Sequence, residues 1–422
     1  MTRQKQNQNW NSRINAWAAA AALVLMIVFA VTVVVTPAAQ AQTFQVLHNF
    51  SGGQDGAGPL DGLTIGPNGN LYGTASAGGY QFSGCSNGWG QTGCGAVFEM
   101  ARSGSGWILR PLYDFQGGPD YGNPEEGVVF GPDGALYGLT GSGNGGVFRL
   151  RPPATSCASF KCSWQKTSLY QFSGQPDGSY PASRLIFDPS GNMYGVTFFG
   201  GLYNEGAAFE LSPQNGGWTE NVIYTFNPSL GLGVSLPNGP LVLDQAGNVY
   251  GVGYCNEIDG CYGSVWQLQP SQSGWNFNSI FEFNGSDGYE LTGLVSDPSG
   301  NLYGFTDGQT GNSSSTAYEL SPSNGSWTYN LVYDLGFENN FSVPSLDSAG
   351  NLYGSNIISG YGTLFKLTRS GNTWTYSVLH QFSGADGEFP TGYVVSDRKG
   401  NIYGTTVKGG TYGYGVIWEI TP

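Results

Sequence analysis

The sequence predicts an all-β protein, a β-propeller of seven blades with four antiparallel strands in each blade. Three observations predict it: an eight-residue segment that recurs seven times, four strand signals in every repeat, and the composition. The 422 residues include 69 glycines, and aromatic residues make up 14% of the chain against 10% charged residues. Glycine turns between aromatic strands are typical of all-β folds, and such a chain is too rich in rings to be disordered.

The recurring segment reads DPSGNLYG at 297–304. Its copies are 50 to 65 residues apart, a spacing typical of propeller blades, solenoid turns or arrays. We interpret the segment as a type I turn, with Gly300 in a left-handed conformation, followed by a strand. Inside that strand, we expect Gly304 to be the socket for an aromatic ring from the next blade. The tyrosines that mark the seven copies are Tyr72, Tyr137, Tyr194, Tyr250, Tyr303, Tyr353 and Tyr403.

Each repeat contains four strand signals. In the fifth repeat they are LVSD (294–297), NLYGFT (301–306), TAYEL (316–320) and LVYDL (331–335). Glycine interrupts the chain about every ten residues and no apolar stripe has the helical period, so helical repeats are excluded.

The two ends of the chain complete one blade. The last repeat stops after VIWEITP (416–422) and lacks a fourth strand, whereas an extra strand signal, VLHNF (46–50), precedes the first repeat. We therefore expect the strand at 43–50 to join the last blade and close the ring, which also covers exposed strand edges.

The N-terminal residues 1–41 read as a signal peptide. Basic residues precede an apolar run from Ala16 to Val35, and Ala39-Gln40-Ala41 resembles a cleavage site. The alternative is an uncleaved membrane anchor, because about twenty apolar residues can span a bilayer. The propeller then comprises residues 42–422, and we expect it to be secreted, periplasmic or attached to the cell envelope.

Six cysteines lie in the exported part as three close pairs. In an oxidising compartment, local disulfides are the simplest pairing. A zinc site is the weaker alternative, because no C-x-x-C occurs and the only histidines are His48 and His380. The pairs are Cys85 with Cys94, Cys157 with Cys162, and Cys255 with Cys261.

The formal net charge is −14, with no basic run in the exported part. Such a chain repels phosphate backbones, so nucleic-acid binding is excluded. We expect a monomer that contacts a membrane only if the N-terminal segment is retained.

The repeat resembles the GloVer family, the Gloeo/Verruco tandem-repeat proteins. The shared pattern is clearest in QFSGADGEFP (381–390), GNIYGTTVKGG (400–410) and HNFSGGQDGAGP (48–59). The resemblance implies an exported repeat protein, often with a C-terminal anchor, and no established activity. Because no apolar tail precedes Pro422, we expect no such anchor here. At the level of fold, the units are also similar to NHL and streptogramin-lyase-like propellers, whose function does not transfer with the fold.

Aspartates precede glycine in several of the segments that lead from strand four to the next strand one. They suggest a ring of carboxylates that binds Ca²⁺ or a polyol. The alternative is that each aspartate hydrogen-bonds the backbone of its own tight turn. We favour the turn, and expect no cofactor. These aspartates are Asp55, Asp120, Asp177, Asp287 and Asp386.

Four residues at the start of strand one depart from the repeat. Asp61, Glu126, Arg184 and Tyr393 are predicted to line a polar pocket at the mouth of the central channel, with Arg184 pairing an anion. The alternative is a solvated channel mouth with one internal salt bridge.

The predicted function is recognition of a glycan or another protein by the loops of an exported, non-catalytic propeller. Tyr80 and Trp89 suit stacking on carbohydrate, although they could also pack their own long loop. One alternative is a propeller lyase or hydrolase that uses carboxylates at the channel mouth, and another is a structural cell-surface protein. No Ser-His-Asp pattern or other catalytic motif occurs, and both histidines occupy a fourth-strand position far from the channel.

Overall fold

The computed structural model describes residues 42–82, 84–104, 106–153, 164–214, 216–227, 234–255, 261–284, 286–308, 314–336, 342–357 and 360–422. Within these ranges, Phe44–Thr421 form one compact unit. Seven antiparallel sheets are arranged in a ring, which confirms the seven-bladed propeller. The described residues contain a single helix, a 3₁₀ turn at Gly118–Asp120. The predicted signal peptide lies outside the described residues.

The strands of each blade follow one another from the central channel outward. Blades 1 to 3 contain β2 (Thr64–Ile65), β3 (Leu71–Ala75), β4 (Ala96–Ser103) and β5 (Gly106–Asp114); β6 (Val129–Phe130), β7 (Leu136–Thr140), β8 (Gly146–Arg151) and β9 (Gln165–Gln171); and β10 (Ser179–Pro181), β11 (Ile186–Phe187), β12 (Met193–Phe199), β13 (Ala207–Gln214) and β14 (Gly217–Thr225). Blades 4 and 5 contain β15 (Val234–Leu243), β16 (Val249–Cys255), β17 (Gly263–Ser271) and β18 (Gly274–Phe283); and β19 (Tyr289–Ser296), β20 (Leu302–Asp307), β21 (Ser315–Ser323) and β22 (Ser326–Gly336). Blades 6 and 7 contain β23 (Ser345–Leu346), β24 (Leu352–Asn356), β25 (Thr363–Ser370) and β26 (Thr373–Gln381); and β27 (Val395–Ser396), β28 (Ile402–Thr406), β29 (Val416–Thr421) and β1 (Thr43–Asn49).

Two blades depart from a simple four-strand meander. In blade 3 the first strand is divided into β10 and β11, which both pair with β12. In blade 7 the sheet order is β1-β29-β28-β27, so its outer strand comes from the beginning of the described chain and its other strands come from the end.

The recurring segment forms the predicted turn and a side-chain network. The Gly300 N–H donates to the Asp297 carbonyl over 3.0 Å, and Gly300 has a φ of 85°. One carboxylate oxygen of Asp297 accepts the backbone N–H groups of Ser299 and Asn301. The other accepts the Asn301 side-chain amide at 2.8 Å and the Tyr303 hydroxyl at 3.2 Å. The aspartate, asparagine and tyrosine of the segment therefore hold the hairpin together.

The glycine that follows the tyrosine makes room for a ring, but not for the ring we predicted. A Cβ on Gly404 would lie 2.3 Å from the Trp418 ring, which belongs to the third strand of the same blade. The two residues are direct cross-strand partners, so the missing side chain lets the ring lie across the sheet. The predicted socket for the next blade is wrong as a general rule; at Gly354 alone among the seven, the Phe305 ring of the preceding blade also enters.

Neighbouring blades pack through aromatic rings. The last aromatic residue of a fourth strand meets the third-strand ring of the following blade, as Phe115 meets Phe148 with ring centroids 5.3 Å apart. The same contact recurs at five other junctions, including Phe50 with Phe98. The buried apolar residues accordingly form seven clusters, each combining residues from adjacent blades. Such burial is the main source of stability in this ring.

A backbone hydrogen bond fastens adjacent blades at six junctions. The residue that donates its N–H has a positive φ, for example 58° at Tyr180. The residue that accepts through its carbonyl precedes a glycine, and a Cβ added to that glycine would touch the next blade. A side chain on Gly145, for example, would lie 2.3 Å from Pro181. The donor and acceptor pairs are Gly58 with Tyr414, Asn123 with Cys94, Tyr180 with Asn144, Leu236 with Glu205, Glu290 with Tyr262, and Phe389 with Tyr361.

The two ends of the ring carry different connections. We call the end that carries the strand-four-to-one and strand-two-to-three connections the loop face. Its described residues are 50–63, 76–82, 84–95, 115–128, 141–145, 172–185, 200–206, 226–227, 261–262, 284, 286–288, 308, 314, 342–344, 357, 360–362, 382–394 and 407–415. The other end, which carries the turns of the recurring segment and the strand-three-to-four turns, is the hairpin face.

Two of the three predicted disulfides are present: Cys85–Cys94 lies within a loop-face connection, and Cys255–Cys261 joins the end of β16 to the connection that follows it. The third predicted pair, Cys157 and Cys162, lies outside the described residues. No helix within the described ranges is long and apolar enough to cross a membrane.

Candidate functional site

The four residues predicted at the channel mouth are brought together by blades 7, 1, 2 and 3. Arg184 is 9% exposed and reaches from blade 3 to the first strand of blade 1. Its Nε donates to Asp61 Oδ2 at 3.1 Å, and Nη2 donates to the Gly62 carbonyl at 2.7 Å. Its Nη1 lies 3.2 Å from the Thr64 hydroxyl and 3.4 Å from the Leu63 carbonyl. Since blades 1 and 3 are not neighbours, the side chain spans the mouth of the channel.

Asp61 is saturated by groups of the protein. Besides Arg184, its carboxylate accepts the backbone N–H of Gly62 at 2.7 Å and that of Gly127 at 2.6 Å. Any side chain on Gly127 would collide with both members of the ion pair. The Arg184–Asp61 pair is therefore an internal link between three blades.

Tyr393 covers the other side of the guanidinium. The Cζ atom of Arg184 lies 4.2 Å from the centre of the Tyr393 ring, a cation–π geometry. Burial raises the pKa of the Tyr393 hydroxyl well above its ordinary value, although Arg184 opposes the shift.

Glu126 differs from its neighbours because no described residue donates a hydrogen bond to its carboxylate. Burial raises its pKa to about 8, repulsion from Asp61 and Glu125 adds to the shift, and Arg184 opposes it. A large part of this group is therefore protonated at neutral pH. Among the four residues, Glu126 has the chemistry of an acid or base that is free to react.

The central channel contains a cavity of about 650 Å³. Arg184 and Tyr393 border one end, and aliphatic side chains from the first strands form most of the wall. The wall residues at equivalent positions include Val129, Ile186, Val242, Val295 and Val395, and Ile65 also lines the wall.

The Asp-Gly aspartates bind their own turns, except for Asp287. Asp386 accepts the backbone N–H and the hydroxyl of Ser383, and also the ring nitrogen of His380 at 2.9 Å. These hydrogen bonds lower the pKa of Asp386 in spite of its partial burial. Asp55 makes the same contacts with Ser51 and His48.

In the next two blades a tyrosine hydroxyl takes the place of the histidine. Tyr113 donates to Asp120 at 2.8 Å, and Tyr170 donates to Asp177 at 2.7 Å. Histidine and tyrosine can share one position in the repeat because each forms a hydrogen bond with the turn aspartate. Within the described ranges, no three His, Cys, Asp or Glu side chains form a metal-binding group. The contacts of Asp55, Asp120, Asp177 and Asp386 fit the turn role that we favoured, and calcium binding remains the untested alternative.

Sequence reasoning missed a polar contrast between two blade junctions. At the junction of blades 1 and 2, Lys166 donates to Asp120 at 2.7 Å and lies 5.1 Å from the Phe115 ring. One junction further, Glu220 occupies the position of Lys166 and faces Asp177 through a shared tyrosine hydroxyl. Burial raises the pKa of Glu220 to about 7, with repulsion from Asp177 as the next cause. One oxygen of Glu220 is buried and has no hydrogen-bond partner among the described residues.

The same position holds stacked rings at the following junctions. Phe277 stacks on Tyr224 with centroids 4.4 Å apart, and Tyr329 stacks on Phe281 at 5.0 Å. The position lies two residues after the tryptophan of each fourth strand. Comparing that column of the repeat would have singled out Lys166 and Glu220.

Among the described residues, seven of the eight exposed aromatic side chains lie in the loop-face connections, and the eighth, Phe199, ends β12 beside them. Trp89 is not among them, because it packs on Phe389 across the junction of blades 7 and 1, with Lys408 over both rings. Tyr80 is 49% exposed. The other exposed aromatic residues in the described part of the chain are Phe82, Tyr180, Phe199, Tyr203, Tyr361, Tyr412 and Tyr414.

Residues 156–356 match the Gloeobacter/Verrucomicrobia repeat family. This match confirms the resemblance drawn from the repeat, over the span that contains blades 3 to 5. A comparison with the curated proteins finds no match.

Two solved structures share the fold. A protein from Lactobacillus plantarum aligns with a TM-score of 0.51 and 14% identity, over 84% of this chain and 100% of its own. PorZ, a bacterial surface component of the type-IX secretion system of Porphyromonas gingivalis, aligns with a TM-score of 0.52 and 13% identity, over 84% of this chain and 45% of its own. At such low identity the likeness concerns the fold and not the function.

Proposed function

We propose that this protein is an exported binding propeller that recognises a glycan or another protein through its loop face. The observation that carries the proposal is the position of the exposed aromatic rings. Seven of the eight that occur among the described residues lie in the connections of this face, the eighth, Phe199, ends β12 beside them, and none lies on the hairpin face or the outer strands.

Single exposed apolar residues are common on any protein surface, but a concentration on one face is not. Tyrosine and phenylalanine provide large contact areas with few rotatable bonds, and they stack on the apolar faces of sugars as well as on protein side chains. Aliphatic residues on the outer strands, such as Ile108, Leu331 and Val378, are equally exposed but scattered singly.

Backbone strain supports a preorganised loop face. Five of the eight non-glycine residues with positive φ in the described chain lie in its connections, among them Tyr121, Tyr180 and Phe389, and two more, Leu236 and Glu290, lie near the loop-face ends of β15 and β19. Such conformations cost on the order of 1 kcal/mol or more each, and they persist where surrounding contacts fix them. A rigid loop binds with less loss of entropy than a mobile one.

The channel mouth supports a binding protein more than an enzyme. Arg184 and Asp61 form their hydrogen bonds with each other and with the backbone, so neither is available to a substrate. Glu126 is the exception, because its raised pKa suits a general acid. A lyase or hydrolase that acts through Glu126 is therefore the second candidate, and a purely structural surface protein is the third.

Export is part of the proposal. The two disulfides fit an oxidising compartment, and the N-terminal 41 residues read as a signal peptide. Detection of the protein in a periplasmic or secreted fraction, with its N-terminus at or near residue 42, would support this part.

The test is a binding array of glycans, peptidoglycan fragments and peptides, probed with the protein and with a triple variant, Tyr80→Ser/Tyr203→Ser/Tyr412→Ser. We expect at least one class of ligand to bind the native protein and not to bind the variant. Binding that the variant retains in full would contradict recognition by the loop face. Turnover of a bound glycan that is abolished by Glu126→Gln would favour the enzyme instead.

A further inference from the structure

The loop face has an unbalanced charge. Its connections contain ten described carboxylates and only two described cations, Arg184 and Lys408. Arg184 is bound to Asp61, and Lys408 lies over the rings of Trp89 and Phe389. The carboxylates are Asp55, Asp61, Asp120, Glu125, Glu126, Asp177, Glu205, Asp287, Asp386 and Glu388.

Six of these ten carboxylates have no cationic partner among the described residues. Internal cations or histidines reach only Asp55, Asp61, Asp120 and Asp386. On the hairpin side, by contrast, carboxylates are paired with arginine, as in Arg102–Glu419 and Arg151–Asp133. The excess negative charge therefore coincides with the exposed aromatic rings.

Rings and carboxylates together form binding sites for lysine and arginine, because a cation is attracted to the face of a ring and to the anion beside it. The protein uses this combination internally. Lys166 lies 2.7 Å from the Asp120 carboxylate and 5.1 Å from the Phe115 ring, with Tyr113 at 5.9 Å.

The next junction presents the same groups without the cation. Asp177, Tyr170 and Phe172 are equivalent to Asp120, Tyr113 and Phe115, and Tyr170 packs on Phe172 as Tyr113 packs on Phe115. Here Glu220 stands where Lys166 stands one blade earlier, and its Oε1 is buried without a partner among the described residues. Two carboxylates face each other where the preceding junction holds an ammonium group.

We propose that the loop face binds a basic polypeptide and that the junction of blades 2 and 3 receives a lysine side chain of that partner. Charge complementarity selects this occupant: a neutral glycan would use the rings but leave the carboxylates unpaired, and an anionic polymer would be repelled. The spread of the rings over blades 1, 3, 6 and 7 fits a protein surface better than a small ligand. This inference rests on the loop face being the recognition surface.

The test uses isothermal titration of the purified protein with a decapeptide of alternating lysine and glycine, at low and physiological salt. Glu220→Lys supplies the missing cation from within, so we expect it to weaken peptide binding about tenfold, equivalent to about 1.4 kcal/mol. The control Thr328→Lys/Thr375→Lys makes the same change in net charge at exposed outer-strand positions near the hairpin face, and we expect it to bind within twofold of the native protein.

The outcomes separate this inference from the proposed function. Equal loss in Glu220→Lys and in the control would mean that net charge alone attracts the peptide, and would overturn the inference. A second outcome is that the native protein binds a glycan but not the peptide, and that the triple tyrosine variant no longer binds the glycan. This result would support recognition by the loop face and would overturn the basic partner. If neither binds, both proposals fail. Glu220→Gln, expected to weaken the peptide by less than Glu220→Lys, guards against a folding defect, and its melting temperature is measured alongside.

Discussion

On the hairpin face, polar side chains bond to one another in the same way in blade after blade. Asp297, Asn301 and Tyr303 form a closed network, and the equivalent residues of blades 3, 4, 6 and 7 repeat it. The turn aspartates of the loop face, by contrast, meet different partners: Asp120 faces Lys166 at one junction, and Asp177 faces Glu220 at the next. Repetition is used where the blade must fold, and variation occurs where rings and carboxylates are left unpartnered.

The largest loss of stability should come from replacing Arg184, whose side chain is bonded entirely within the protein. Replacing Arg184 with alanine leaves Asp61 buried without its cation, and we expect the free energy of unfolding to fall by about 3–5 kcal/mol. Arg151→Ala, which breaks an exposed and solvent-screened ion pair with Asp133, should cost far less. Urea denaturation compares the two variants, and equal losses would show that the mouth is not an internal link.

The glycine of the recurring segment tests the scaffold directly. A methyl group on Gly404 would overlap the Trp418 ring, so Gly404→Ala should destabilise the protein by about 1–3 kcal/mol. Gly106→Ala is the control, because its Cβ would meet only the Ser103 carbonyl at 3.9 Å. Thermal unfolding of both variants provides the measurement, and a neutral Gly404→Ala would refute the packing role.

The turn aspartates predict acid sensitivity. Hydrogen bonds lower the pKa of Asp347 and Asp397 below the ordinary value of 3.8. The stability that they contribute is therefore present above that value and is lost as the pH falls through their folded pKa. Asp347→Asn should lose about 1 kcal/mol at pH 7 and show a shallower decline of melting temperature below pH 4. An unchanged acid profile would contradict the network.

Glu126 predicts the opposite pH dependence, with a smaller effect. Its raised pKa means that the protonated form favours the folded state, so stability is lost as the pH rises from about 4.5 to about 8. Glu126→Gln cannot ionise, and should melt at a higher temperature than the native protein at pH 8.5 but at nearly the same temperature at pH 4.5. A constant difference at both values would mean that Glu126 ionises freely.

The fold could be predicted because the repeat is written in residues with strict backbone demands. Gly300 marks a left-handed turn, and the tyrosine beside Gly304 marks a strand, so counting copies counted the blades. The prediction that the ring over that glycine comes from the next blade was wrong, since Gly404 and Trp418 pair within one blade. A sequence period does not distinguish a contact within a repeat from a contact between repeats.

The candidate site was predicted only in part. Asp61, Glu126, Arg184 and Tyr393 were found because they depart from the repeat at one position. The sequence could not predict which of the four residues hydrogen-bond to one another, because hydrogen bonds between blades depend on geometry across the channel. Glu220 differs from the lysine and the aromatic residue at the equivalent positions of the two adjacent blades, but the sequence does not show which group it faces. Its meaning emerges only beside Asp177, more than forty residues away in sequence.

The most direct test of the account compares two sets of equally exposed residues. Tyr80→Ser/Tyr203→Ser/Tyr412→Ser removes rings from the loop face, and Ile108→Ser/Leu331→Ser/Val378→Ser removes apolar side chains from the outer strands. Melting temperature and binding to the ligands found on the array are measured for both.

We expect the tyrosine variant to melt within about 2 °C of the native protein and to bind at least about tenfold more weakly. The outer-strand variant should retain binding. Loss of binding in the outer-strand variant, or full binding in the tyrosine variant, would contradict the assignment of recognition to the loop face.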